Sequence, residues 1–217
     1  MQLREKLRHF GVIPVITLTQ VEDAIPVAQA LSDGGLPVAE ITFRTPAAAE
    51  AIAAVKRALP HMIIGAGTIL TLAQLHQARV AGADFMVSPG FDATLIEKSL
   101  RMEMPFIPGC ATATEIGAAQ TLGIDLVKFF PAAAQNAQAV IPAMAGPFPD
   151  ITYMLTGGIG FRELNTYLSL PNVICCGGSW IAPTVLIDAG NFTEIQKNAT
   201  ATVETITRIR KGCKDEQ

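Results

Sequence analysis

Apolar residues recur along this chain in short unbroken runs: Val12–Leu18, Pro37–Thr42, His61–Ala66, Asp84–Ser88, Pro105–Pro108, Asp125–Phe129, Ile151–Leu155 and Asn172–Cys176. Their starts lie 20 to 26 residues apart. Runs of this length without polar alternation describe strands covered on both faces. Between them lie segments rich in alanine and leucine, at Val21–Ser32, Ala47–Leu59, Leu72–Ala81, Ala93–Arg101, Thr114–Leu122 and Ala137–Ala145. Alternation of strand and helix implies parallel pairing through right-handed crossovers. Eight such units in this length predict a closed (β/α)8 TIM barrel. A further helix over Gln2–His9 is placed to close the barrel bottom, a short helix is expected to start at Ser179, and the polar segment after Lys211 is expected to fray.

Local signals agree with this division. Thr71, Asp92 and Thr112 stand immediately before the third, fourth and fifth helical segments and are competent N-caps. Gly34-Gly35, Gly82 and Gly123 fall where helices should stop.

Composition narrows the class. The chain has 217 residues, half of them hydrophobic and 16% charged, which suits one domain over 1–217 built on a large buried sheet. A net charge of −3 gives no reason to expect a nucleic-acid partner. No apolar run reaches the roughly 18 residues needed to span a bilayer, and the charged N-terminus has no signal-peptide character. A cytoplasmic location without membrane partners is expected. Cys110, Cys175, Cys176 and Cys213 lack metal-ligand spacing and read as reduced residues of the core. His9, His61 and His76 fall away from the strand ends, so no metal is expected in the site.

The chemistry concentrates on Lys128, inside Leu126-Val127-Lys128-Phe129-Phe130-Pro131. Strand geometry sends Leu126, Lys128 and Phe130 to one face, so the lysine projects into an enclosed apolar place. Desolvation disfavours an ammonium, and a neutral amine is the nucleophile that forms a Schiff base with a carbonyl. The plainer alternative is a strand-end lysine with a buried stem and a solvated head.

In a barrel of this type the functional residues lie at the C-terminal ends of the strands. The second strand ends Glu40-Ile41-Thr42-Phe43-Arg44-Thr45, placing Glu40, Thr42 and Arg44 on one face. A carboxylate and a guanidinium there suit a proton-transfer group and an anion clamp, or an internal ion pair that fills space. The third strand ends Gly65-Ala66-Gly67-Thr68, where small residues admit a ligand and Thr68 offers a hydroxyl. Glycines follow both of the last two strands, at Gly157-Gly158 and Gly177-Gly178, the latter pair leading into Ser179. Glycine pairs after both strands point to a backbone phosphate site more than to turn chemistry.

Together, Glu-Ile-Thr-Phe-Arg-Thr at 40–45, Gly-Ala-Gly-Thr at 65–68, Ser-Pro-Gly at 88–90, Lys-Phe-Phe-Pro-Ala at 128–132, Ala-Gly-Pro-Phe at 145–148, Thr-Gly-Gly-Ile at 156–159 and Gly-Gly-Ser-Trp at 177–180 resemble the class I 2-keto-3-deoxy-6-phosphogluconate (KDPG) and 4-hydroxy-2-oxoglutarate (KHG) aldolases. The resemblance runs from about Val12 to Gly190. It implies a homotrimeric barrel enzyme without metal or other cofactor, acting on a small keto acid phosphate. Lys128 then resembles the Schiff-base lysine and Glu40 the general acid/base. Arg44 and Thr68 are similar to the groups that bind the pyruvyl carboxylate, while Pro89 and Phe130 match the walls of the pyruvyl pocket. Thr156, Gly157, Gly158, Gly178 and Ser179 match the distal hydroxyl and phosphate site. One departure is Ala133, where many relatives carry an acidic residue, which leaves sugar specificity open. The competing readings are a relative acting on 2-keto-3-deoxy-6-phosphogalactonate, a phosphate-binding barrel isomerase or epimerase, and a non-catalytic sugar-phosphate sensor.

Overall fold

A computed structural model describes residues 3–215 of the chain. Eight short strands form its centre: β1 (Val12–Ile16), β2 (Val38–Thr42), β3 (Ile63–Gly67), β4 (Phe85–Val87), β5 (Phe106–Ile107), β6 (Leu126–Phe129), β7 (Thr152–Leu155) and β8 (Val173–Gly178). All neighbouring pairs are parallel, in the order β5-β4-β3-β2-β1-β8-β7-β6. The two edges meet through the backbone of Lys128. Its N–H donates to Pro108 O at 2.8 Å, and its carbonyl accepts from Cys110 N–H at 2.8 Å. These bonds flank a bridge between Gly109 and Lys128 and close the barrel.

Helices α2 (Ala24–Asp33), α3 (Ala48–Ala58), α4 (Leu72–Val80), α5 (Ala93–Arg101), α6 (Ala113–Thr121), α7 (Ala137–Ala145) and α8 (Leu164–Leu168) follow β1 to β7 in turn, with a 3₁₀ turn over Phe161–Glu163 before the last. The expected caps hold them. Thr71 accepts from Gln74 N–H, Asp92 from Leu95 N–H, and Thr112 from Glu115 N–H in a reciprocal capping box. Gly35, Gly82 and Gly123 take left-handed φ values of +82°, +80° and +84° in the order Gly35, Gly123, Gly82, the conformation that ends a helix most cheaply at glycine. Strand side chains such as Ile13, Val38, Ile64, Phe85 and Tyr153 have no exposed surface. For the aliphatic side chains and Phe85, each such burial contributes about 1.5–3 kcal/mol over leaving the side chain exposed.

Several boundaries differ from the sequence reading. The first helix, α1, spans Leu3–Phe10; Gln2 lies outside the described residues. It is tied across the barrel base by Arg4, whose Nη1 lies 2.5 Å from Asp125 Oδ2 at the start of β6. No helix starts at Ser179. The chain bends there, and α9 (Thr184–Asp188) begins only after Pro183. A proline disfavours helical backbone in the residue before it, which delays the start. The polar C-terminus does not fray at Lys211 but continues a long helix, α10 (Phe192–Asp215). Its apolar stripe, Ile195, Ala199 and Ile206, is buried, and the Thr202 hydroxyl donates to Asn198 O within the helix. Arg210 of α10 donates to the carbonyls of Arg8 and His9, which are the free acceptors at the end of α1.

Candidate active site

The C-terminal ends of β1 and β2 are laced by side-chain hydroxyls. Thr42 donates to Ile16 O at 3.0 Å, so the 2.9 Å contact between the Thr17 and Thr42 hydroxyls has Thr17 as donor. Thr45 donates to Leu18 O at 2.5 Å. This lacing fixes the segment that carries Arg44. Glu40 and Thr42 lie below it on the same strand face, and neither has exposed surface.

Lys128 approaches Glu40 from β6. Its Nζ is 3.4 Å from Glu40 Oε1, and the two side chains are 7% and 0% exposed. The Phe130 ring lies beside the amine, with its centroid 5.5 Å from Nζ. Phe130 therefore presents its ring face to Nζ, and both residues line the cavity above.

Above this pair is a cavity of about 330 Å³. Arg44, Lys128 and Phe130 line it together with Thr156, Gly157, Gly158 and Ser179. Gly157 and Gly158 take φ values of +95° and +75°, a path that a β-branched residue would strain. A Cβ at Gly157 would stand 2.9 Å from the Phe130 ring, so this glycine lets the loop after β7 pass over the aromatic wall. Ala132 N–H and Ala133 N–H donate to Thr156 O at 2.8 Å and Gly157 O at 3.0 Å, joining the loops that follow β6 and β7. Ala133 itself faces Gly158.

Not every expected residue lines the cavity. Gly178 turns away, and a Cβ on it would stand 2.7 Å from the Trp180 indole. Gly177 is the residue on the cavity side, where it packs against Thr156 and Val15. Val15, from β1, and Ile159, from the loop after β7, also contribute, and as ordinary apolar residues neither carries a functional signal by type. Thr68 directly follows β3 with φ +60°, a sparsely populated conformation for a β-branched residue. Pro89 presses its backbone against Gly109, the bridge partner of Lys128.

Two oxygens in this region are buried and have no hydrogen-bond partner among the described residues: Glu40 Oε2 and Thr156 Oγ1. Buried oxygens are normally paired, so both are positions at which a bound molecule gains hydrogen bonds. Cys175 lies inside the barrel near Glu40, and burial, with Cys176 and Glu40 nearby, pushes its thiol well above the usual range. Burial also pushes Cys110 and Cys176 up to about 12, so none of the three is a nucleophile at neutral pH. The side chain of Cys213 lies outside the described part. Among the described residues, no three His, Cys, Asp or Glu side chains are grouped to hold a metal ion. No helix there is long and apolar enough to cross a membrane.

A buried amine against a carboxylate, beneath a cavity lined by an arginine, is the set of groups that Schiff-base aldolase chemistry calls for: a nucleophile, a proton carrier and an anion partner. Comparison with known proteins agrees. The chain matches the family described as "Aldolase: KDPG and KHG aldolase" over residues 3–198. It is 45% identical to the 2-dehydro-3-deoxy-phosphogluconate aldolase of Treponema pallidum, across 93% of this chain and 96% of that protein. It is 40% identical to the KHG/KDPG aldolase of Escherichia coli, across 89% and 91%. Among solved structures, KDPG aldolase from Legionella pneumophila, with pyruvate captured as a covalent carbinolamine, superposes with a TM-score of 0.90 at 40% identity, covering 93% of this chain and 98% of that one. The chain belongs to the KDPG and KHG aldolase family, whose members are carbon–carbon lyases.

Proposed function

We propose that the protein cleaves 2-keto-3-deoxy-6-phosphogluconate to pyruvate and glyceraldehyde 3-phosphate, with Lys128 as the Schiff-base nucleophile. The carrying observation is the buried contact of 3.4 Å between Lys128 Nζ and Glu40 Oε1 beneath the cavity. Nearby, Arg44 pairs with the substrate carboxylate and Thr68 adds a hydroxyl, while Pro89 and Phe130 wall the pyruvyl half.

The Lys128 amine adds to the keto carbon, giving a carbinolamine. Glu40 supplies the proton with which the hydroxyl leaves as water, and an iminium forms. Glu40, now a carboxylate, removes the proton of the C4 hydroxyl. The C3–C4 bond breaks, its electron pair moves into the iminium, and the aldehyde departs. The resulting enamine is protonated at C3, and water releases pyruvate and free Lys128. Each proton step runs through one carboxylate, which suits the enclosed position of Glu40.

The distal half reaches Thr156, Gly157, Gly158 and Ser179, with Gly178 offering only its backbone. The unpaired Thr156 hydroxyl suits a substrate hydroxyl, and the left-handed glycines expose backbone N–H groups to a phosphate. We further propose that 4-hydroxy-2-oxoglutarate is a second substrate, since it has the same pyruvyl half, and that the single catalytic barrel assembles as a cytoplasmic homotrimer. The relatives named for phosphogluconate favour that sugar over phosphogalactonate.

Pyruvate release, coupled to lactate dehydrogenase, tests the substrate assignment. The highest kcat/KM is expected for the phosphogluconate-derived acid, with 4-hydroxy-2-oxoglutarate slower. A preference for the galactonate epimer would move the assignment within the family, and no pyruvate from any of the three would remove it.

A further inference from the structure

Two glycines of β3 face the barrel interior, and each stands beside a side chain that fills the space it leaves. A Cβ at Gly65 would lie 2.3 Å from the Phe85 ring, and one at Gly67 would lie 2.1 Å from Glu40 Oε1, 2.6 Å from its Cγ and 2.7 Å from its Cδ. Non-bonded carbon atoms settle at about 3.5–4.0 Å, so neither side chain could coexist with a methyl there. At Gly65 the neighbour is a core ring with no exposed surface, and the glycine serves packing. At Gly67 the neighbour is the carboxylate that moves protons. Gly67 has no left-handed φ, so space alone requires the glycine.

We propose that Gly67 is a positioning residue for the aldol reaction: the side chain it lacks is the space in which the Glu40 carboxylate is held beside the Lys128 amine. The proposal rests on the proton-transfer reading of Glu40. Hydrogen bonds do not fix this carboxylate. Among the described residues Oε1 meets only Lys128 Nζ, at 3.4 Å, and Oε2 has no partner. Its place is therefore set by the walls around it, and Gly67 is one of these, with room for no atom between. A methyl at 67 pushes the carboxylate by more than about 1 Å to reach ordinary contact. The obstacle is the outer part of a side chain, from Cγ to Oε1, and not backbone, so the barrel can form while the amine and the acid separate. A misplacement of about 1 Å costs on the order of 10²-fold in rate.

The test is a cycle of four proteins: wild type, Gly67→Ala, Glu40→Ala and the double variant, each assayed for cleavage and thermal unfolding. Glu40→Gln and Gly65→Ala are run beside them. Gly67→Ala is expected to lower kcat about 10²-fold, with a much smaller change in KM. In the Glu40→Ala background no carboxylate remains to displace, so the same substitution is expected to lower neither kcat nor Tm further. Gly65→Ala is expected to lower Tm in both backgrounds. If Gly67→Ala alone does not fold, the double variant is expected to. Wild-type kcat in Gly67→Ala while Glu40→Gln is impaired overturns the proposal, as does a Gly67→Ala penalty of equal size in both backgrounds. Wild-type turnover in Glu40→Gln would instead remove the proton-transfer reading of Glu40, and this inference with it.

Discussion

Lys128 Nζ and Glu40 Oε1 stand 3.4 Å apart inside the barrel, although 88 residues separate them in sequence. They come from β6 and β2, strands well apart in the sheet order, so the contact exists only because the barrel closes. The bonds that close it, at Pro108 O and Cys110 N–H, are made by the backbone of Lys128 itself. Barrel closure and the position of Lys128 are thus one structural fact. Burying this ion pair gives little net stability, because desolvation offsets the attraction, so function is the better reason for its place.

The carboxylate half of the pair is tested by Glu40→Gln, which keeps the shape and removes proton transfer. Loss of one general acid/base costs about 10²- to 10⁴-fold. Steady-state cleavage should show kcat falling in that range with the fold retained by circular dichroism. A kcat within about twofold of wild type, far outside that range, would make Glu40 a structural ion-pair residue.

The distal end can be probed with charge. Ser179→Asp places an anion at the lining where the phosphate is proposed to sit. Like charges at about 4 Å repel by roughly 1 to 4 kcal/mol, depending on solvent access. For the phosphorylated substrate, kcat/KM should therefore drop by about tenfold or more, at about 1.4 kcal/mol per tenfold. 2-Keto-3-deoxygluconate, which carries a neutral C6 hydroxyl in place of the phosphate, should lose much less. Equal losses on both would show that Ser179 does not meet the phosphate.

How much of this was legible beforehand depends on the range of the interaction. The strand runs, the caps at Thr71, Asp92 and Thr112, and the Glu40–Thr42–Arg44 face are local patterns of period two or of capping chemistry, and sequence displays them directly. Helix α10 was hidden by its threonines, which have modest helix propensity; its order comes from tertiary burial of Ile195, Ala199 and Ile206. Gly177 and Gly178 are indistinguishable as letters, and only the turn of β8 sends the first inward and the second against Trp180. The role of Gly67 is equally invisible in sequence, because its neighbour in space comes from another strand.

The cysteines give a chemical prediction. Burial pushes Cys110 and Cys176 up to about 12 and Cys175 well above its usual range. In native protein treated with iodoacetamide at mildly alkaline pH, peptide mapping should find all three unmodified, with activity retained. Modification should follow only after denaturation. Rapid alkylation of Cys175 in active protein would contradict its enclosed position beside Glu40.

Stability should respond to acid at the capping box. Burial alone would raise Glu115, but the hydrogen bonds from Ala111 N–H and from the hydroxyl and N–H of Thr112 outweigh it and hold the carboxyl below 4.5. A carboxyl lowered by folding stabilises the native state above its unfolded value and loses that contribution as pH falls through its folded value. The Tm gap between wild type and Glu115→Gln should be full at neutral pH and shrink below 4.5. A gap that does not change with pH would place the effect in packing.

The most direct measurement is reductive trapping of the enzyme with pyruvate and borohydride, followed by peptide mass analysis. Capture of the keto carbon by the amine of Lys128 leaves an iminium that borohydride reduces to a stable secondary amine. Irreversible inactivation should therefore track a single pyruvate-derived mass on the peptide containing Lys128, and neither should occur without pyruvate. Label on any other lysine, or full activity after treatment at saturating pyruvate, would contradict the assignment of Lys128 as the nucleophile.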